Sequence, residues 1–122
     1  MLLEKDLEKK IVTKAKKLGF LSYKFVSPSQ KGVPDRIFIS KSGKVFFIEF
    51  KSPKRKITPV QKELLNRWEM VKKDEYKKKL KSLLTSLQID VILDLNTNKA
   101  DVFVVNSEEL GLEILTKFMS EG

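Results

Sequence analysis

The first part of the chain repeats apolar and charged positions with the period of a helix. Apolar residues recur every three or four positions from Leu3 to Leu18, and Gly19 follows the last of them. This spacing is typical of an amphipathic helix that ends at a glycine. Glu4 and Glu8 lie one turn apart beside the apolar stripe. The pattern therefore predicts a first helix with two glutamates next to its buried face.

Three strands are predicted after this helix. Segment 20–26 is rich in apolar and aromatic residues, and segment 27–34 carries two prolines and a glycine, which are typical of a loop. Segments 36–40 and 45–51 again favour strands, and Lys41 to Lys44 form a turn between them. We expect the last two strands to make a hairpin whose second strand, 45–51, suits the centre of a sheet.

Helical spacing returns in the second half of the chain. Thr58 before Pro59 is typical of an N-cap, so a helix is expected to begin there. The apolar spacing changes phase near Asp74, which predicts a second helix capped by that residue. The apolar stripe of this second helix is interpreted either as a dimer interface or as plain core; its members are Tyr76, Leu80, Leu83, Leu84 and Leu87.

Two more strands and a helix complete the prediction. Segments 89–95 and 101–105 are predicted as strands, and Ser107 is expected to cap a last helix that ends near Met119. The resulting order is α, β, β, β, α, α, β, β, α. It predicts an α/β fold with a mixed central sheet flanked by helices, in a single domain over residues 1–122.

The composition of the chain limits the kinds of catalysis that it can perform. The 122 residues contain no cysteine and no histidine, which excludes disulfides, thiolate chemistry, structural zinc and imidazole catalysis. Any catalysis must use carboxylates, lysine and a hard metal ion. No apolar run is long enough to span a bilayer, and the first ten residues are too charged for a signal peptide. We therefore expect a soluble cytoplasmic protein without a membrane partner.

The basic residues are concentrated in one third of the chain. Residues 41–81 hold 14 Lys or Arg against five Asp or Glu, whereas the remainder holds 11 of each. A local excess of this size favours a surface that binds phosphate, although lysine-rich solvated helices would give the same count. The sequence thus predicts a nucleic-acid partner.

Three charged residues occupy positions that packing alone does not explain. Asp35 opens one strand of the hairpin, and Glu49 and Lys51 project from the same face of the other. Burying a carboxylate and an ammonium in an apolar strand costs several kcal/mol, about 3–5, unless they pair or bind a metal. Two carboxylates can hold Mg²⁺, with Mn²⁺ as a substitute, and a lysine beside them suits phosphodiester hydrolysis. The alternative is a surface pair of Glu49 and Lys51 on a half-exposed strand.

The chain resembles the virus-type replication-repair nuclease (VRR-NUC) domain of the PD-(D/E)xK superfamily. That family has a G-x-P-D motif, an apolar E-x-K strand and a helix that opens with a glutamine, and the resemblance covers residues 4–68. The residues that carry it are Gly32, Val33, Pro34, Asp35 and Arg36, then Phe47 to Lys51, then Thr58, Pro59 and Gln61.

The resemblance implies a restriction-endonuclease-like fold and a set of site residues. It implies that Asp35, Glu49 and the Phe50 carbonyl bind the metal, that Lys51 is the catalytic lysine, and that Gln61 reaches the site from its helix. It also implies a glutamate from the first helix. Glu8 suits the spacing of the related archaeal Holliday junction resolvases, whereas Glu4 suits the spacing of VRR-NUC sequences.

The chain departs from the family pattern in one place. VRR-NUC domains pass from the glutamine helix through a glycine to the next strand by a short connection. Here 27 residues lie between Gln61 and Ile89, and none is glycine. We interpret residues 72–88 as a lysine-rich helical insertion that serves as a DNA clamp, a dimer element or a longer solvated helix.

The implied function is a Mg²⁺-dependent DNA endonuclease acting on branched DNA, such as a Holliday junction, in repair or recombination. Such enzymes work as homodimers, and a viral or prophage origin agrees with the family. The alternatives are a non-catalytic nucleic-acid-binding protein, an RNA nuclease or a restriction-type enzyme. DNA contacts are expected from Lys31, Arg36, Lys54, Arg55, Lys56, Lys72, Lys73, Lys77 and Lys78.

Overall fold

A computed structural model describes residues 3–120 of the chain. It contains five α-helices, one short 3₁₀ helix and four strands in this part of the sequence. In chain order they are α1 (Glu4–Lys17), β1 (Leu21–Lys24), β2 (Arg36–Ile39), β3 (Val45–Phe50), α2 (Pro59–Asn66), the 3₁₀ helix (Trp68–Met70), α3 (Lys73–Leu80), α4 (Ser86–Thr97), β4 (Asp101–Val105) and α5 (Glu108–Ser120).

The strands form one mixed sheet in the order β1-β2-β3-β4. β2 runs antiparallel to both β1 and β3, whereas β4 runs parallel to β3. A parallel pair needs a crossover connection, and the helices α2 to α4 provide it. The predicted α/β fold, a mixed sheet flanked by helices, is confirmed. No helix within residues 3–120 is both long and apolar enough to cross a membrane.

One face of the sheet is covered by the first and last helices. Phe38, Phe46 and Ile48 point to this face and are fully buried in a core that α1 and α5 complete. The Phe46 ring stacks on Phe118 of α5 with 4.1 Å between the ring centroids. Burial of large apolar side chains stabilises the fold by about 1.5–3 kcal/mol each, so this core fixes α1 against the sheet.

The other face is covered only over β3 and β4. Val102 and Val104 of β4 pack with Ile89 and Ile92 of α4 in a second core, which α2 and α3 extend. Phe47 of β3 borders this core. Leu21, Tyr23 and Val45 of β1 and β3 are exposed. Helix α4 therefore covers one half of this face and leaves the other half open.

The prediction of a strand at 89–95 was wrong, because these residues belong to α4. Thr85 is the N-cap of this helix, and its side chain accepts a hydrogen bond from the main-chain N–H of Gln88, while the Gln88 side chain accepts one from the N–H of Thr85. This capping box outweighs the modest β preference of the Ile and Val residues that follow. Ile89 and Ile92 are three residues apart, lie on the same face of the helix and are both buried.

The region predicted as one helix after Asp74 is two helices. α3 begins at Lys73 with Asp74 in its first turn rather than at its N-cap, and it ends at Leu80. The apolar stripe offered as a dimer interface is core, since Tyr76, Leu80, Leu83 and Leu84 are all at most 3% exposed. Only Leu87, at the start of α4, is exposed.

Candidate active site

Asp35 lies directly before β2, at the end of the sheet where β3 finishes. Its Oδ2 accepts a hydrogen bond of 2.8 Å from the main-chain N–H of Phe50. Burial raises the pKa of Asp35, and the charges of Glu8 and Glu4 raise it further, while the Phe50 N–H opposes the shift. The hairpin therefore places Asp35 against the last residues of β3, as the sequence predicted.

Glu49 and Lys51 are side by side at the same end of the sheet. The Lys51 Nζ lies 3.5 Å from the Glu49 Oε2, and both residues are buried, Glu49 to 4% exposure. Burial, and then the charge of Asp35, raise the pKa of Glu49 to about 8, with Lys51 opposing the shift. A positive charge close to a carboxylate that is buried in this way stabilises its ionised form. The alternative of an exposed Glu49–Lys51 surface pair is therefore excluded.

Gln88 of α4 connects this pair, and sequence reasoning missed it. Its Nε2 donates to the Glu49 Oε2 at 3.0 Å, and its Oε1 accepts from the Lys51 Nζ at 3.1 Å. The same Oε1 accepts the N–H of Thr85 in the capping box. One amide therefore caps α4 and fixes the Glu49–Lys51 pair.

Gln61 does not reach the site, so that prediction was wrong. Its Oε1 accepts the main-chain N–H of Thr58, and its Nε2 donates to the carbonyl of Lys79 and the hydroxyl of Ser82. These bonds hold the start of α2 against the end of α3. Gln61 is buried because it joins two helices, which is a structural role.

The sequence contained the signal for Gln88. Both glutamines stand three residues after a threonine, in Thr58-x-x-Gln61 and Thr85-x-x-Gln88, and both pairs form capping boxes. Only twelve residues lie between Gln88 and Asp101, the first residue of β4. With Gln88 as the glutamine of the motif, the connection to the next strand is short.

The turn between α4 and β4 has a backbone conformation that favours glycine. Lys99, between α4 and β4, has a φ of 64°. This left-handed conformation is the one that a glycine adopts at little cost. Lys99 therefore takes a backbone conformation that glycine would adopt more easily. The predicted insertion at residues 72–88 contains α3, the connection that follows it and the start of α4.

Gly32, the first residue of the G-x-P-D motif, lies directly on the start of α4. Its φ is +90°, and a Cβ on it would come within 2.6 Å of the carbonyl carbon and oxygen of Leu87 and 2.9 Å of the Gln88 nitrogen. A side chain at this position would push the loop and the helix apart. Gly32 therefore allows the loop before Asp35 to pack against the residue that holds Glu49 and Lys51.

The two glutamates of α1 differ in their partners. The Glu8 Oε2 accepts a hydrogen bond of 2.8 Å from the Arg36 Nε, and the Lys24 Nζ lies 3.6 Å from the same oxygen. Glu4 is exposed, and its charge raises the pKa of both Asp35 and Glu49. Glu8 is thus held in an ion pair, and Glu4 is the α1 carboxylate whose charge acts on both site carboxylates.

The predicted DNA-binding residues fall into two groups. The first is already engaged: Arg36 pairs with Glu8, Lys73 and Lys77 lie beside Asp90, and Arg55 donates to the carbonyl of Ser82. The second group is exposed to solvent and can meet a phosphate; it consists of Lys31, Lys54, Lys56, Lys72 and Lys78.

A cleft of about 720 Å³ lies elsewhere, beside the outer edge of β4. Trp68 and residues of α5 line this cleft, whereas Asp35, Glu49 and Lys51 do not. Within residues 3–120 no three His, Cys, Asp or Glu side chains are already gathered as a metal cluster. The chemistry of the site therefore rests on the two carboxylates of the hairpin and the groups next to them.

Comparison with known proteins agrees with this geometry. No protein-family model matches the sequence. Over 58 residues, 48% of the chain, it is 47% identical to "Putative nuclease p44" of Acyrthosiphon pisum secondary endosymbiont phage 1, and the match spans 62% of that protein. A solved structure described as a VRR_NUC domain superposes with a TM-score of 0.57 at 21% identity, covering 93% of this chain and 94% of that one. The chain therefore has the fold of a VRR_NUC domain, as its motifs predicted.

Proposed function

We propose that this protein is a metal-dependent nuclease that hydrolyses phosphodiester bonds in DNA, with Asp35, Glu49 and Lys51 at its centre. The observation that carries the proposal is that Asp35, bonded to the Phe50 N–H, lies at the same end of the sheet as the buried Glu49, whose Oε2 is 3.5 Å from the Lys51 ammonium. Two carboxylates beside a lysine in this arrangement can bind a cation. The phage protein that shares 47% identity over 58 residues is itself described as a nuclease, which supports the same reading.

The donor atoms fit Mg²⁺ or Mn²⁺. Asp35, Glu49 and the main-chain carbonyl of Phe50 would supply oxygen ligands, the type that these hard cations prefer. Glu4 is the α1 carboxylate proposed to join them, because the Glu8 carboxylate is already engaged by Arg36 and Lys24. When bound, such an ion lowers the pKa of a water ligand and offsets charge on the phosphate.

Lys51 and Gln88 would act on the reacting groups in different ways. Lys51 has its ammonium at the site and would orient the attacking water and stabilise negative charge on the phosphate. Gln88 holds both Lys51 and Glu49 by hydrogen bonds of 3.1 and 3.0 Å. We infer that Gln88 is a positioning residue, whose amide keeps the carboxylate and the ammonium of the pair at a fixed separation.

The substrate we propose is branched DNA, such as a Holliday junction or a flap, bound by a homodimer. The chain carries a net charge of +9, and the excess lies in residues 41–81, which include the second strand of the hairpin and the segment after it. Exposed Lys54 and Lys56 lie just beyond Lys51, where they could hold the phosphates that flank the cleaved bond. We further propose a phage or prophage origin, with DNA repair or recombination in the cytoplasm of the host cell as its setting.

A panel of labelled substrates tests this function. Junction, flap, duplex and single-stranded DNA, and an RNA counterpart, are incubated with the protein and Mg²⁺ or Mn²⁺, and Glu49→Gln is the control for contaminating nucleases. Cleavage of junction or flap DNA by the wild type alone is the expected result. Tight binding of every substrate without cleavage would contradict it and identify a non-catalytic nucleic-acid-binding protein.

A further inference from the structure

Helix α1 carries a row of lysines that the charge count over the whole sequence conceals. Residues 9–17 hold five lysines and no aspartate or glutamate. Acidic residues elsewhere in the chain cancel these lysines in the total, so the region shows no excess. Lys10, Lys14 and Lys17 are spaced by four and three residues and therefore lie on one side of the helix. We define the α1 basic ridge as these three lysines and Lys9.

The uniform charge of the ridge differs from the pattern of a helix that is merely solvated. Like charges three or four residues apart destabilise a helix, whereas opposite charges stabilise it. Helix α3 shows the stabilising pattern, because the Lys79 Nζ lies 3.1 Å from the carboxylate of Glu75, four residues earlier. A helix that needs lysine only for solubility can alternate the two signs in this way. The ridge instead presents one sign, and such a surface attracts anions.

A carboxylate already lies against the ridge. Glu108, the first residue of α5, places one oxygen 3.8 Å from the Lys10 Nζ and the other oxygen 3.8 Å from the Lys14 Nζ. The three side chains are between 38% and 54% exposed, so water weakens these ion pairs. The arrangement shows that the two lysines can each contact one oxygen of the same anion. A phosphodiester group has two oxygens that can be contacted in this way.

The same residues line a shallow groove between α1 and the start of α5. Its volume is about 320 Å³, and the side chains around the Glu108 carboxylate are Lys9, Lys10, Thr13, Lys14 and Lys17. Four lysines and a hydroxyl are groups that contact the DNA backbone in protein complexes. The groove therefore suits phosphate, which would replace the weakly held carboxylate.

The ridge begins next to the candidate active site. Glu8, which precedes Lys9, accepts the hydrogen bond from Arg36, and Arg36 follows Asp35 in the chain. At a rise of about 1.5 Å per residue, the ridge extends about 12 Å along α1 from Lys9 to Lys17. This length corresponds to roughly three or four phosphates of one strand along a duplex. DNA that leaves the site along α1 can therefore contact the whole ridge.

The ridge and the lysines that follow β3 belong to opposite sides of the sheet. Helix α1 completes the first core, whereas α2, α3 and α4 cover the other face. The exposed Lys54 and Lys56 lie in the connection from β3 to α2. A straight duplex that follows one of these basic surfaces leads away from the other. Two arms that diverge from a branch point at the site can follow both.

We propose that the α1 basic ridge binds the phosphates of a second DNA arm, so that a flap or junction is held on both sides of the sheet. The proposal rests on the proposed nuclease function, and it names the surface that makes this protein prefer branched DNA. Glu108 competes with the phosphate for Lys10 and Lys14. Removal of the lysines and removal of the carboxylate should therefore change the affinity for branched DNA in opposite directions.

Fluorescence anisotropy in EDTA tests the proposal with a labelled flap and a linear duplex of the same sequence. The Lys10→Gln, Lys14→Gln double variant should weaken flap binding at least about fivefold and flatten its log–log salt dependence by about 1.8, while duplex binding changes less than about twofold. Lys44→Gln with Lys99→Gln is the matched control, because both lysines are exposed and precede β3 and β4 at the end of the sheet away from the site. Unchanged flap binding, equal weakening of flap and duplex, or equal weakening by the control pair would each overturn the proposal.

A substitution that should increase affinity provides the second test. Glu108→Gln frees Lys10 and Lys14 and should tighten flap binding and steepen its salt dependence. Glu109→Gln removes the same charge from the next residue, which is exposed and lines the cleft beside β4 instead of the ridge, and should leave flap binding nearly unchanged. Weaker or unchanged flap binding by Glu108→Gln, or an equal gain from both variants, contradicts the role of the ridge.

Cleavage assays separate this proposal from the nuclease function. If the wild type binds the flap through the ridge but cuts nothing with Mg²⁺ or Mn²⁺, the ridge stands and the nuclease function fails. If the wild type cuts the flap and the Lys10→Gln, Lys14→Gln variant binds and cuts it equally well, the nuclease function stands and the ridge proposal is wrong.

Discussion

Replacement of Gly32 by alanine tests how the loop, α4 and the candidate catalytic residues are connected. Gly32 and Gly43 both have a positive φ, +90° and +87°, so alanine pays a similar backbone cost at each, about 1–2 kcal/mol. Of these two glycines, only Gly32 would bring an added Cβ against other atoms, because nothing lies within 4 Å of a Cβ at Gly43. Gly43→Ala is therefore the matched control for strain without a collision.

The collision at position 32 is with main-chain atoms, which cannot rotate away. A Cβ there lies 2.6 Å from the Leu87 carbonyl, so the loop or the start of α4 must move. Overpacking of this kind costs about 1–3 kcal/mol beyond the backbone strain. The movement also displaces Gln88 from Glu49 and Lys51, so we expect Gly32→Ala to lose cleavage as well as stability.

Urea unfolding and cleavage kinetics measure the two effects. Gly43→Ala should lose about 1–2 kcal/mol of unfolding free energy and keep its cleavage rate once folded. Gly32→Ala should lose about 2–5 kcal/mol, and the cleavage rate of its folded fraction should fall at least about tenfold. Equal stability losses with equal rates would refute the role of Gly32 in placing Gln88.

Three further predictions concern the site and its surroundings. Because the folded-state pKa of Glu49, about 8, exceeds the ordinary 4.5, the folded protein retains a proton that the unfolded chain releases, and stability falls as pH rises between these values. Without metal, Glu49→Gln should thus be more stable than the wild type at pH 7, by up to about 3 kcal/mol in urea unfolding, and equal stabilities would contradict the burial argument. Gln88→Ala should lower the cleavage rate strongly and the free energy of unfolding only slightly. Gln61→Ala should lower the free energy of unfolding and leave the cleavage rate of the folded protein nearly unchanged. Cleavage kinetics and urea denaturation of both variants measure the two effects. Neutralising Lys72 and Lys78 should flatten the log–log salt dependence of duplex binding by about 0.9 per lost contact, and an unchanged slope would make them solvated residues.

The hairpin and the placement of its candidate catalytic residues could be predicted because their signals are local. Pro34 before Asp35, the apolar run through Glu49 and the turn at Gly43 define two strands and their faces without knowledge of the rest of the chain. The two-residue period of a strand then places Glu49 and Lys51 together.

The choice between two glutamines could not be made from local signals. Thr58-x-x-Gln61 and Thr85-x-x-Gln88 have the same capping pattern, and Pro59 strengthens the first. What separates them is that α4 crosses over the sheet to β4, which is a tertiary contact. The β-branched residues of α4 favoured the wrong prediction of a strand, because the capping box at Thr85 and the packing against β4 together decide the conformation of this segment.

Asp35 and Glu49 are proposed to hold a metal ion for phosphodiester hydrolysis. A Mg²⁺ titration of DNA cleavage by the wild type and by Asp35→Asn, on the same labelled junction, tests this role. We expect no cleavage in excess EDTA, a saturable rise with Mg²⁺ for the wild type, and a loss of at least about a thousandfold for the folded variant at every Mg²⁺ concentration. Cleavage that persists in EDTA, or an Asp35→Asn protein that cuts like the wild type, would contradict it.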